Sequence, residues 1–230
     1  MISSFPVDGT WKYSPSSRQL KRNGVLVRYS FFKSRPSGIH GAVDITRVPQ
    51  GTPLLAVTDG VVRRLGNQGD KGWGRYARIA GADGHDYLLA HLSAYAPGIK
   101  VGSKVKAGQP VALCGSTGNS EAPHDHREIW WKRDDRDTRV DPYWMFCWLA
   151  QGKGTKTNPY AEPNGERLIE YGDIGEQVMW VQWALAYPAV TGRFNKAVRG
   201  RLEAFQTKHG LKATGAVDEK TLVALRQVTR

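Results

Sequence analysis

Four histidines and one aspartate in the first 130 residues have the types and spacing to do chemistry together. His40-Gly-Ala-Val-Asp44 sets an imidazole and a carboxylate four apart, which places them on one face of a strand or a helix alike. His124-Asp125-His126 leads into REIWW; on a strand, both imidazoles point one way and Asp125 the other. His91 lies in DYLLAHLSAY, six residues after His85. Each has a plain alternative: a surface histidine with a turn aspartate, a solvated edge strand, a hydrogen-bonded structural histidine. Together they favour another reading. His40, Asp44 and one histidine of the pair offer two nitrogens and one oxygen to a tetrahedral zinc whose fourth position stays open. Two histidines then remain as general base and as donor to a developing oxyanion. Zinc brings the pKa of bound water to about 7, so the residues alone read as a zinc hydrolase.

Those side chains need a scaffold. Up to residue 150, short β-branched runs alternate with glycine-rich turns: GVLVRYSFF, TPLLAV, DGVVRRL, RYARIA, HDYLLAHL, QPVALCG and HREIWW. This spacing, with almost no helical period, predicts a compact antiparallel β domain. Gly60, Gly84, Gly102, Gly108 and Gly115 fall where turns or bulges are needed. Residues 151–166, QGKGTKTNPYAEPNGE, have the composition of a linker. Beyond it the period turns helical: Val178, Val181 and Leu185, then Val198, Leu202 and Phe205, then Leu222 and Leu225. VTGRFNK (190–196) and ATGAVDEK (213–220) repeat one pattern, a glycine turn before an N-cap, Asn195 or Asp218. The fold class is therefore α+β multidomain: an antiparallel domain over 1–150, a linker over 151–166 and a three-helix bundle over 167–230. Within 131–150, the charged stretch predicts an exposed hairpin or loop, and DPYWMFCWL an apolar cap on the sheet that holds Cys147 as a buried thiol.

Composition narrows the partners. The 230 residues are 40% hydrophobic and 23% charged, an ordinary globular balance that excludes disorder and coiled coil. No apolar run approaches the ~20 residues that span a bilayer, so stable membrane insertion is not expected. The start of the chain lacks an apolar h-region, and two cysteines make no disulfide framework; both suggest synthesis in a reducing compartment without a secretory signal. Thirty-three basic against 21 acidic residues give a net charge of +12 with no basic tail. Such a field draws polyanions, from nucleic acid to the acidic polymers of a cell envelope. A nucleic-acid partner is not expected, because no basic stripe with interleaved aromatics is present and the histidines would go unused.

The order HxxxD, HLS, then HxH after a Gly/Ser-rich turn resembles the lysostaphin/LytM-type zinc metallopeptidases. GIHGAVDI, GTPLLAVTDGVV, DYLLAHLS and VGSKVKAGQPVALCGSTGNSEAPHDHREI carry the resemblance, over about residues 25–130. It implies an antiparallel β fold and endopeptidase action on peptidoglycan peptides. It also implies that His40, Asp44 and His126 ligate zinc, while His91 and His124 form the catalytic pair. The chain departs from the family where members read HLHFE: Asp125 and Arg127 replace apolar residues on the strand face opposite the zinc, where they could pair with each other or across strands.

Residues 167–228 resemble the three-helix peptidoglycan-binding module, through YGDIGEQVMWVQWAL, AFQ at 204–206 and the paired TG turns. His209 then ends a helix before Gly210 as a structural residue, and Trp180 and Trp183 are expected in the core. The combination implies a bacteriophage endolysin, a monomer kept in the host cytoplasm until it reaches the wall, with peptidoglycan as partner. Two alternatives stand beside it. A D-alanyl-D-alanine-type carboxypeptidase spaces its first His and Asp seven apart, against four here. A non-catalytic activator of other hydrolases typically loses ligands, and all five positions survive.

Overall fold

The computed structural model describes residues 4–14, 19–27, 31, 34–35, 38–131, 138–150, 158, 160, 162–163, 168–188 and 190–228. Its contacts divide the chain into two compact units, Met1–Tyr13 with Gln19–Gly152 and Ser14–Arg18 with Lys153–Arg230.

The first unit is built from antiparallel strands. β1 (Trp11–Ser14), β2 (Gln19–Arg22) and β3 (Val25–Val27) form one small sheet, and β4 (Ser34–Arg35) pairs with β5 (Gly38–Ile39). The rest of the GVLVRYSFF run lies largely outside the described residues. The main sheet has seven strands: β6 (Val43–Ile45), β8 (Gly60–Asn67), β9 (Arg75–Gly81), β10 (His85–Ala90), β12 (Lys104–Val105), β14 (Asp125–Trp131) and β15 (Thr138–Val140). β7 (Pro53–Leu55), β11 (Ala94–Tyr95) and β13 (Pro110–Leu113) make a third small sheet.

Spatial order in the main sheet is β12-β8-β9-β10-β14-β15, with β6 also paired to β14. HDYLLA on β10 is buried at all six positions, as a central strand covered on both faces should be. β14 lies between β10 and β6, and its register sets His126 opposite both Ala90 and Asp44. Residues directly opposite on antiparallel strands share a face. His126, Glu128 and Trp130 therefore lie with Asp44, Ala90, Leu88 and Asp86, while Arg127 lies with Val43 and Leu89. Tyr76, Leu88 and Ala90 form an apolar cluster with Trp73 and Trp130 packed against it.

The sequence pattern missed one helix. DPYWMFCWL was expected only as an apolar cap, yet Pro142–Ala150 is a helix, α1, that packs on β14 and β2. It is apolar almost all round, so it shows no amphipathic period to read. Cys147 is fully buried in it, and burial drives the thiol far above its usual range. Ahead of α1, β15 closes a hairpin with β14 whose tip, 132–137, lies outside the described residues.

The second unit carries the three expected helices: α2 (Glu176–Ala184), α3 (Lys196–Lys208) and α4 (Glu219–Arg226). Asn195 Oδ1 accepts from Val198 N at 3.0 Å, and Asp218 Oδ1 from Thr221 N at 2.8 Å, so both N-caps are made. Trp180 and Trp183 are buried, and His209 is the C-cap of α3. Phe205 is only half-buried, its ring packed at a tilt against His209; the inward residue of that turn is Gln206. Two buried glutamines explain the repeated turns. Gln182 accepts from Thr191 N and Gly192 N while donating to Thr191 Oγ1 and the Arg193 carbonyl. Gln206 holds the second turn in the same way, accepting from Gly215 N and donating to Thr214, Thr221 and the Ala216 carbonyl. Most of the expected linker 151–166 lies outside the described residues. Within it, Tyr160 is buried and Asn158 donates to the Trp180 carbonyl.

Candidate metal centre

His40, Asp44, His91, His124 and His126 line one groove of about 920 Å³. His40 stands just before β6 and Asp44 on it, with His40 Nε2 3.3 Å from Asp44 Oδ2. His126 Nδ1 lies 2.9 Å from Asp44 Oδ1. One ligand atom from each of the three lies within 4.8 Å of the others, so a single small cation could bridge all three. Burial alone would raise the Asp44 carboxyl, but hydrogen bonds from His126 and His40 outweigh it and hold the group far below the carboxylate range. That set, a carboxylate kept ionised between two buried imidazoles, fits a divalent metal of zinc type. A second overlapping group, His91, His124 and His126, also has donor atoms within that range.

Glu128, two residues beyond His126 on the same face, completes the cluster and was not singled out from the sequence. Its Oε1 accepts from His126 Nε2 at 3.2 Å and from Trp73 Nε1 at 2.9 Å. With the Nε2 proton held by Glu128, Nδ1, which faces Asp44, is the nitrogen that would bind a metal in exchange for its own proton. Burial opposes a charge on His126, yet its bonds to Asp44 and Glu128 prevail and push it up to about 9. The i+2 spacing was the one available signal for Glu128; Trp73 enters from 55 residues away and had none.

His91 and His124 stand next to this trio with ring centroids 5.0 Å apart, and His91 lies 5.1 Å from His126. His91 directly follows β10 with φ of 58°, a left-handed conformation uncommon for a side-chain-bearing residue. Its Nδ1 is 2.8 Å from the Thr117 carbonyl, and His124 Nδ1 is 2.8 Å from the Ala122 carbonyl. A carbonyl only accepts, so both rings carry a proton on Nδ1 and turn Nε2 toward the groove, that of His124 lying 3.7 Å from Asp44 Oδ1. Burial, reinforced by the His126 charge, pushes His91 down to about 4, so its ring is neutral near pH 7.

Behind the groove, Asp125 and Arg127 pair with each other on the opposite face of β14. Arg127 Nε lies 2.8 and 2.9 Å from the two Asp125 oxygens, with 0% of the aspartate and 3% of the arginine side chain exposed. Arg127 Nη2 also donates to the Pro6 carbonyl at 3.0 Å. Burial drives the Asp125 carboxyl upward and Arg127 opposes it.

The comparisons with known proteins agree with this fold. Residues 38–142 match the model of peptidase family M23, and residues 174–225 that of the "Putative peptidoglycan binding domain" family. The glycyl-glycine endopeptidase ALE-1 of Staphylococcus capitis is 31% identical over 137 residues, 60% of this chain and 36% of that protein. The DD-carboxypeptidase/endopeptidase Mpg of Neisseria meningitidis serogroup B is 39% identical over 90 residues, 39% of this chain and 20% of that protein. This chain thus spans about a third or less of the length of those curated relatives. The solved catalytic domain of lysostaphin from Staphylococcus simulans is 31% identical, with 52% of this chain and 90% of that one covered and a TM-score of 0.45. Residues 38–142 thus form a peptidase family M23 domain, and a peptidoglycan-binding domain over residues 174–225 follows it.

Proposed function

We propose that the protein is a zinc-dependent endopeptidase that hydrolyses peptide cross-links of bacterial peptidoglycan. The observation that carries this reading is the convergence of His40, Asp44, His91, His124 and His126 in one groove. Zinc, when bound by His40 Nε2, an Asp44 oxygen and His126 Nδ1, would supply Lewis acidity toward a carbonyl and bring the pKa of water to about 7. The chain's own groups do the rest. Glu128 fixes the ring of His126. The Nε2 atom of whichever of His91 and His124 is neutral accepts the proton of the attacking water. The other, once protonated, donates to the charge growing on the carbonyl oxygen. The C–N bond then breaks and the proton passes to the departing amine.

The peptidoglycan-binding domain would raise the local substrate concentration seen by the groove. The net charge of +12 favours approach to an anionic envelope. A bacteriophage endolysin, monomeric and held in the host cytoplasm before lysis, is the setting we propose for such a chain.

The deciding experiment digests purified peptidoglycan and identifies the fragments by mass spectrometry. New amino groups and peptide breaks, lost on chelation and restored by zinc, are the expected result. Loss only of a terminal D-alanine would mean a carboxypeptidase; wall binding without cleavage would mean a non-catalytic activator. His40→Ala, Asp44→Ala and His126→Ala should lose metal and turnover together. His91→Ala and His124→Ala should keep the metal and lose turnover, and retained turnover would overturn their roles.

A further inference from the structure

We propose that Arg139 is a specificity-determining residue that binds a carboxylate of the substrate peptide beside the metal centre. The proposal rests on the endopeptidase reading above. Arg139 is opposite Trp130 on β14, which puts it on the face of His126 and Glu128. It lines the groove, and its side chain is 40% exposed.

Three contacts hold this guanidinium without using up its donors. It lies 4.9 Å over the Trp130 ring, a ring that Arg78 also approaches at 5.1 Å. It fills the space left by the missing side chain of Gly41: a Cβ there would meet its Nη1 at 2.5 Å and collide with its Cδ. Gly41 follows His40 in the chain, so the arginine is packed against the backbone of the metal site. Its Nε is 3.6 Å from Glu128 Oε2, an ion-pair approach too long for a hydrogen bond. Among the described residues, Arg139 donates no hydrogen bond.

A fixed arginine with an open fork beside a reacting centre suits one ligand above others. Guanidinium donors match a carboxylate bidentately, and stacking on an aromatic ring limits the entropy lost when they engage. Of the other charges lining the groove, Asp44 and the second oxygen of Glu128 are engaged by histidines, Glu121 makes no ion pair with Arg139 among the described residues, and Arg47 adds a second positive charge. A bridge made only of glycine brings no such group into the groove. A stem peptide does, either as the side-chain carboxylate of a diamino acid or as a terminal α-carboxylate.

The test uses the zinc-loaded full chain and cross-linked stem peptides whose scissile amide is replaced by a methylene-amine. Four ligands are compared by calorimetry: the free acid, the side-chain amide, the terminal amide and a glycine bridge. Amidating the recognised carboxylate should weaken binding on the order of tenfold to a hundredfold, the range of a charge-assisted pair. The form whose amidation matters names the source. Arg139→Gln should bind free acid and amide alike, change glycine-bridge binding less than about threefold and keep its zinc; Arg139→Lys, lacking the fork, should recover only part of the loss. The proposal is overturned if the wild type binds acids and amides equally, or if Arg139→Gln weakens every ligand by one factor, as it would if the arginine acted only through Glu128. Cleavable versions of the same peptides keep the two readings apart: carboxylate-dependent binding without any hydrolysis would sink the endopeptidase and leave Arg139 standing.

Discussion

Replacing the Asp125–Arg127 pair should separate what the two charges do for each other from what they do for the fold. Both are enclosed, at 0% and 3% side-chain exposure, and the arginine spends its Nε on both aspartate oxygens. Arg127→Phe strips the counter-charge from a buried carboxylate, and Asp125→Leu leaves the guanidinium with the Pro6 carbonyl as its remaining acceptor. Losing one partner of such a pair typically costs about 3–5 kcal/mol, whereas exchanging both for apolar residues of similar volume is often neutral or stabilising. The double variant Asp125→Leu/Arg127→Phe is therefore expected within about 2 kcal/mol of the parent, which makes the coupling larger than about 4 kcal/mol. With an m-value of about 2 kcal/mol/M in urea, each single variant moves its midpoint down by about 2 M. Urea unfolding followed by far-ultraviolet ellipticity reads those midpoints, and calorimetry separates the β unit from the helical one. Zinc affinity of the double variant should match the parent, because both side chains lie on the face away from the groove. A double variant as unstable as the two singles combined, or either single within about 1 kcal/mol of the parent, would refute the reasoning.

Other expectations follow from the same geometry. Gln206→Ala removes a buried residue that satisfies four partners and should cost the helical unit about 2–4 kcal/mol, against about 1 kcal/mol for Asn195→Ala or Asp218→Ala, ranked by calorimetric Tm. Gly118 has φ of 73°, and a Cβ there would overlap the backbone of Gly74; Gly118→Ala should displace the neighbouring Thr117 carbonyl from His91 and lower kcat while zinc content holds. Burial would raise Asp83, but bonds from His85 and Tyr87, the latter at 2.6 Å, keep its carboxyl well below the usual range. That stabilisation is present above the unfolded-state pKa of about 4 and is lost as pH falls through the lower folded value. Asp83→Asn should thus destabilise at pH 7 by about 1–3 kcal/mol, and the gap to wild type should close in strong acid when melting is followed against pH.

What could be read from the sequence was what short spacings encode. His40 with Asp44 and His124 with His126 each share a local frame, so spacing alone put them on common faces, as did the caps Asn195 and Asp218. The pairing of Asp125 with Arg127 was available for the same reason, both being two apart on one strand. The rest depends on chain segments meeting across the fold. Thr117 reaches His91 across 26 residues, and Trp73 reaches Glu128 across 55, contacts that only the strand order creates. Helix α1 escaped because a helix apolar on nearly all sides has no period to detect. Phe205 was expected inward on apolar character, but the adjacent buried place belongs to Gln206, whose amide is committed to a turn eight to ten residues ahead.

The alternation along β14 has a consequence for how the sheet can assemble. Imidazoles and Glu128 occupy one face, and the ion pair with Ile129 the other. A slip of one residue against β10 or β6 would turn the whole strand over. The histidines would enter an apolar interior without Asp44, while Asp125 and Arg127 would be thrown into the groove and Ile129 out of the core. The slip would return the Asp125–Arg127 pair to water, which costs little, whereas it would bury the imidazoles and Glu128 away from Asp44 and Trp73. It is the histidines and Glu128, which would lose their partners in an apolar interior, that make the mis-registered strand costly. The strand that holds the reactive side chains thereby has one alignment open to it.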